Sequence, residues 1–124
     1  MPLSVLAFTM TKPVEKSAFL SEYNSTLEEP GYSTVHSKET PSDPEVLTSV
    51  DKLKQYFPDA VVLDSGPGKL SLGIKIFYPR LATSWYMRLS CWKGVIAADL
   101  VVDDRMLALG MQILKTIVSL LSLN

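Results

Sequence analysis

Residues 70–92 constrain the fold more than any other part of the chain. Leu70, Leu72, Ile74, Ile76 and Tyr78 alternate with Ser71, Gly73, Lys75 and Phe77. Trp85, Met87, Leu89 and Cys91 alternate in the same way with Tyr86, Arg88, Ser90 and Trp92. A period of two sends successive side chains to opposite sides of a strand, so each segment has one oily side. Pro79-Arg80 marks a turn region, Lys93-Gly94 suits a tight hairpin, and residues 95–102 return as a third strand. The expectation is an antiparallel three-stranded meander over about residues 69–102.

The flanking segments supply the remaining layers. Residues 3–10 read as a strand with Leu6, Phe8 and Met10 on one side, and Pro2 is tolerated at its start. Thr11-Lys12-Pro13 reads as a helix start, a Thr cap with Pro in the first turn. Val14, Ala18, Tyr23 and Leu27 then form a weak apolar stripe that ends at Glu29-Pro30-Gly31. Residues 30–42 are crowded with Pro, Gly, Ser and Thr and read as a mobile loop. A better-marked helix is expected at about 43–57. Ser42 and Glu45 form its capping box, Val46, Leu47, Val50, Leu53 and Phe57 recur at helical spacing, and Pro58 stops it. A short apolar strand at 60–64 leads into a Gly66-Pro67-Gly68 turn. Asp103-Asp104 suits the positive end of a closing helix at about 104–122.

Helices segregated from a mostly antiparallel sheet make an α+β fold, here one domain over residues 1–124. The closing helix is apolar around most of its circumference, more than one sheet side can cover. Leu107, Met111, Leu114, Val118 and Leu121 are therefore candidate self-association residues.

Composition narrows the function. The 124 residues are 47% hydrophobic and 20% charged, with a mean hydropathy of +0.17. That suits a folded domain with apolar surface to spare. One cysteine (Cys91) and one histidine (His36) leave no material for an internal disulfide or a Cys/His zinc cluster. No cofactor or metal ligand set is expected. Gly66-Pro67-Gly68-Lys69 lacks the earlier Gly and the following Ser or Thr of a phosphate loop, so it reads as a turn. Cys91 on the Met87 and Leu89 side reads as a small core residue rather than a nucleophile. Asp103-Asp104 reads as a cap rather than a carboxylate pair, and His36 as solvated. Nothing in this inventory calls for an enzyme.

No basic leader opens the chain, and no signal peptide is expected. The one apolar run of membrane-span length, 106–123, carries Lys115 mid-segment, where a charge costs roughly 2.5–3.5 kcal/mol. Gln112, Lys115, Thr116, Ser119 and Ser122 line up as a polar stripe, the pattern of an amphipathic helix.

Charge is unevenly spread. Residues 1–51 hold three basic and eight acidic side chains, residues 52–124 nine basic and five acidic. Between Ser65 and Ala98 there is no carboxylate at all. Such segregation concerns partners more than fold: the two halves meet a polyanion, or each other between subunits. Strand parity puts Lys69, Lys75, Phe77, Tyr86, Arg88 and Trp92 on the side away from the oily interior, with Arg80 and Lys93 in the adjoining turns. Cations among broad rings suit single-stranded nucleic acid or an anionic bilayer. They equally suit a second packing face against a helix or subunit, with the basic groups reaching past it to water.

The order of these segments resembles the matrix proteins of non-segmented negative-strand RNA viruses, the short bornavirus type first and the rhabdovirus matrix core behind it. The likeness is carried by Leu53-Lys54-Gln55-Tyr56-Phe57 before a strand and by Leu70-Ser71-Leu72-Gly73-Ile74-Lys75-Ile76-Phe77-Tyr78. It continues with Leu89-Ser90-Cys91-Trp92-Lys93-Gly94, a strand to Val102, Asp103-Asp104 and an apolar closing helix. It covers about residues 50–120. The resemblance implies a non-catalytic structural protein of the virion and host cytoplasm, peripheral on the inner face of a membrane. It implies self-association and contact with anionic lipid and with viral nucleoprotein or single-stranded RNA, and no small-molecule substrate. Two departures stand out: no Pro-Pro-x-Tyr motif, and no Lys-rich N-terminal arm. The competing expectation is a non-enzymatic adaptor that docks a protein partner through its C-terminal helix.

Overall fold

The computed structural model describes residues 10–41 and 49–122. The order of elements is β1 (Met10–Lys12), α1 (Lys16–Glu28), β2 (Tyr32–Glu39), α2 (Val50–Tyr56), β3 (Val61–Gly66), β4 (Lys69–Tyr78), β5 (Thr83–Trp92), β6 (Val95–Asp103) and α3 (Leu107–Ser122). A 3₁₀ turn at Asp104–Met106 joins β6 to α3. The fold is α+β: six strands form one open antiparallel sheet, in the order β1-β4-β5-β6-β2, with β3 also on β4.

The meander forms where alternation demands it. β4 and β5 are ten residues each and pair along their whole length, from Lys69 opposite Trp92 to Tyr78 opposite Thr83. Their oily sides, with Ile96, Ala98, Leu100 and Val102 of β6, make the floor of the main core. Trp85 is fully buried there, stacked on Tyr78 at 5.5 Å between ring centroids. Its indole N–H donates to Thr83 Oγ1 at 3.1 Å, so the ring enters the core without an orphaned donor.

α3 and α2 roof this floor. Ile113, Leu114, Ile117, Val118 and Leu121 of α3 point inward, and Gly110 brings the helix against Val102, where a Cβ would sit 2.9 Å from a methyl carbon. α2 contributes Leu53, with Phe57 just beyond its end, and the Ser49 hydroxyl caps its first turn by accepting from the Lys52 N–H. This helix is shorter than the expected 43–57, and the Ser42–Glu45 capping box lies outside the described residues. Asp103 caps the 3₁₀ turn as its position suggests, its Oδ1 accepting from Arg105 N at 2.9 Å.

Three expectations need correction. Residues 32–39 are no loop: they form β2, an eight-residue strand paired antiparallel to β6. Tyr32, Thr34 and Val35 carry a strand preference that the serines of this stretch and the Pro30-Gly31 before it disguise. Thr11 and Lys12, expected to open a helix, instead belong to β1 at Met10–Lys12, and α1 starts at Lys16 with Glu15 in the cap position; residues 3–9 of the expected first strand lie outside the described residues. α1 exists, but its inward row is Phe19, Tyr23 and Thr26; Val14 is only partly buried, and Ala18 and Leu27 are exposed.

α1 lies on the opposite side of the sheet from α2 and α3, and it builds a second, smaller core. Phe19 and Tyr23 pack with Tyr86, Val101 and Leu63. A β-bulge between Val62 and Asp64 accompanies the turn of Leu63 toward this cluster. Phe19 rests on Gly73, where an added Cβ would meet three ring carbons at 2.9 Å. The ring is fully buried, so an added methyl has to displace it within the packed cluster. Gly73→Ala should therefore destabilise the domain by about 1–3 kcal/mol through overpacking. Urea unfolding monitored by tryptophan fluorescence measures this; a midpoint equal to wild type would show that α1 does not sit on β4 at that point.

Candidate interaction surface

Strand parity holds in the structure. Lys75 lies opposite Tyr86, Gly73 opposite Arg88 and Lys69 opposite Trp92, so the cations and rings of β4 and β5 share one side of the sheet. That side is only partly open. α1 crosses its middle and divides the eight expected contact residues into three groups.

The central group is Lys75, Tyr86 and Arg88, and α1 has engaged all three. Tyr86 is 6% exposed. Glu22 of α1 reaches down between them: its Oε2 accepts from the Tyr86 hydroxyl at 3.1 Å and from Lys75 Nζ at 3.2 Å. The Arg88 guanidinium sits 5.2 Å from the centre of the Tyr23 ring. Phe19 meets Tyr86 edge-on and stacks on Tyr23. Lys75 and Tyr86 thus anchor α1, and Arg88 is drawn into the same contact. Sequence pattern placed Tyr23 on the inward side of α1 but did not single out Glu22 or Phe19. The available signal was the spacing of Phe19 and Tyr23, one turn apart with a carboxylate beside them.

The second group lies at one end of the strands. Phe77 is covered by Lys12 of β1, whose ammonium is 4.0 Å from the ring centre, and Arg80 is exposed in the following turn.

The third group lies at the other end, about 26 Å from Phe77 by strand length. Two turns stand side by side there. Gly66-Pro67-Gly68-Lys69 closes the β3–β4 hairpin, with Gly68 at φ +68° following Pro67, as a type II turn requires. Trp92-Lys93-Gly94-Val95 closes the β5–β6 hairpin with Lys93 and Gly94 both at positive φ, the primed turn that a two-residue connection favours. The Lys93 N–H donates to the Gly68 carbonyl at 3.4 Å and laces the turns together. From this corner Trp92 projects, 58% exposed, with Lys93 Nζ 4.8 Å from its ring centre. Lys69 beside it pairs with Asp64 at 3.0 Å, and this contact holds the Asp64 carboxyl below its usual range. A shallow depression of about 230 Å³ lies next to the indole, floored by the hydrogen-bonded hydroxyls of Ser71 and Ser90.

The expected self-association residues on α3 are also divided. Leu114, Val118 and Leu121 are buried in the chain's own core, Leu107 is partly buried, and Met111 is 42% exposed. The sheet has already used the seam that they were expected to offer to another copy. The segment Asp104–Ser122 is long and apolar enough to cross a membrane, and its inner row packs on the sheet.

Cys91 and His36 lie on opposite sides of the sheet, Cys91 paired to Ile96 and His36 to Asp99. Burial pushes the Cys91 thiol up to about 11, which leaves it unreactive. His36 is exposed, with Nδ1 2.5 Å from Asp99 Oδ1.

No protein-family model, curated protein or solved structure matches this chain.

The α1 anchor has a pH signature. Burial, reinforced by Glu22, pushes the Tyr86 phenol up to about 12 from its ordinary value near 10. Its contribution to stability is whole below pH about 10 and is lost as pH rises toward about 12, because the unfolded chain releases the proton first. Tyr86→Phe should flatten that alkaline loss and cost about 1 kcal/mol at neutral pH for the lost hydrogen bond. Urea midpoints across alkaline pH test it, and an unaltered alkaline slope would count against the Glu22 contact.

Proposed function

We propose that this chain is a non-catalytic, matrix-like structural protein that self-associates and touches an anionic membrane with the corner formed by Trp92, Lys93 and Lys69. The observation that carries the reading is the exposed Trp92 indole at the outermost turn, flanked by two lysines. Tryptophan settles at the headgroup level, where its ring meets hydrocarbon and its N–H meets water. Each lysine near an anionic surface adds about 1 kcal/mol. Contact of this size is peripheral and reversible.

Single-stranded RNA is the weaker reading of the same surface. Stacking platforms for nucleic acid use several open rings along one groove. Here Tyr86 is buried beneath α1 and Tyr23 of that helix is buried against the sheet, Phe77 is covered by Lys12, and one side of Trp92 carries Lys93. The adaptor alternative, docking a partner through α3, loses support because the inner row of that helix is occupied by the sheet.

Flotation with neutral and with phosphatidylserine-containing vesicles tests the proposal. Wild type should float with the anionic vesicles and release at high salt, with a blue shift of tryptophan emission. Trp92→Ala should lower binding by about tenfold, since it removes most of a buried-ring contribution. Lys69→Glu combined with Lys93→Glu should abolish it, while neither variant changes the melting temperature by more than a few degrees. Equal binding to neutral vesicles, or full binding by Trp92→Ala, would overturn the reading.

A further inference from the structure

The two edges of the sheet are unlike each other. On the β4 side the edge is broken into two short strands, β1 and β3, with a bulge in β3. Both devices discourage pairing with another chain. On the other side β2 runs straight for eight residues without proline or bulge, and among the described residues no strand pairs with its outer edge. Its outward backbone groups are a template for one more antiparallel strand.

We propose that the occupant of this edge is β2 of a second copy, so that two sheets join across a two-fold axis at Val35. This specifies the self-association half of the reading above and does not depend on its membrane half. A two-fold perpendicular to the sheet keeps each side continuous, which requires partners of the same parity. Centred on Val35, the register sets Ser33 opposite Ser37, Thr34 opposite His36 and Tyr32 opposite Lys38, each pair occurring twice. Val35 meets its own mate on the side that carries α3, where it already packs against the main core. Glu39 meets Gly31, which has no side chain to oppose it.

Charge complementarity selects this arrangement. Around Tyr32 the chain forms a cleft with Glu29, Asp103, Asp104 and a single cation, Arg105. Asp103 is paired with Arg105, and Asp104 accepts from the Ser33 hydroxyl. Lys38, at the other end of β2, projects from the same side of the sheet as Tyr32, because their β6 partners, Ala97 and Asp103, share parity. Among the described residues Lys38 has no anionic partner, and it is exposed. In the joined sheet each Lys38 enters the acidic cleft of the other copy and lies beside its Tyr32 ring.

The two-fold also turns the two Trp92 corners to opposite ends of the joined sheet. Pairing therefore adds no second grip on one bilayer, and vesicle binding and dimerisation are separately measurable.

Light scattering and sedimentation of the full chain test the proposal. Wild type should reach twice its 13.7 kDa mass with increasing concentration. Lys38→Glu and Glu29→Lys, both surface changes, should each raise the dimer dissociation constant roughly tenfold or more, since each sets like charges across the interface. An equimolar mixture of the two variants should recover tight pairing, because in the mixed dimer every contact again joins opposite charges. Hydrogen exchange should show β2 amides gaining protection with concentration. Lys38→Glu should bind anionic vesicles as wild type does. A wild type that stays monomeric to its solubility limit overturns the proposal, as does a mixture no tighter than its components. A dimer whose β2 amides exchange as in the monomer also overturns it, and assigns self-association to another surface.

Discussion

A long strand paired over its full length to another leaves every side chain only two directions. In β4 and β5 this constraint acts on a sequence whose odd and even positions differ sharply in chemistry. Leucine, isoleucine, methionine and the stacked Tyr78 and Trp85 rings go one way; lysine, arginine, serine and Tyr86 go the other. A one-residue slip of either strand would exchange the sets and put Lys75 into the core in place of Ile74 or Ile76. The cost of burying an unpaired ammonium makes that register inaccessible. Each layer follows from the same parity: α2 and α3 roof the oily side, and α1 has to find its place on the polar one.

How α1 does so explains the charge segregation. The carboxylate-free middle of the chain is answered in part from within, because Glu22 meets Lys75 and Asp64 meets Lys69. A helix with only three buried residues is a poor hydrophobic lid. It is held instead by ring packing over Gly73 and by a carboxylate that collects two donors at once. Hydrogen bonds of this charge-assisted kind, partly shielded from water, contribute more than exposed surface ion pairs do. The acidic first half and basic second half are therefore halves of one folded unit before they are anything else.

The parts of the fold governed by a strong local pattern were legible: the meander with its Lys93-Gly94 turn, the Gly66-Pro67-Gly68 hairpin, the Asp103 cap and the closing helix. β2 was not, because an edge strand half-covered on each side needs no hydrophobic alternation, and Ser33 and Ser37 after Pro30-Gly31 read as loop composition. Which side chains share a side was also legible, since parity settles it. Which of them remain open was not. Periodicity reports the direction of Lys75, Tyr86 and Arg88, whereas their burial depends on α1, brought over them from some 50 positions away in sequence. The same limit applied to α3: apolar circumference is visible in sequence, but how much of it one sheet absorbs depends on the curvature and width of that sheet.

What α1 consumes also decides where an outside partner can be met. With the centre of the polar side occupied, exposed chemistry is pushed to the periphery of the sheet, to the Trp92 corner at one end of the strands and the β2 edge along one flank. These two places differ in kind. The corner offers a ring and cations on rigid turns, a point contact that tolerates any fluid anionic surface. The edge offers a directional row of backbone donors and acceptors, which only another strand satisfies in register. The proposed role calls for both properties, one for adhesion and one for order, and a single small sheet provides them without conflict only if they do not overlap. Here the separation follows from topology: β2 enters the sheet last in space though early in sequence, next to β6, and the corner belongs to the turns that β6 and β4 begin from.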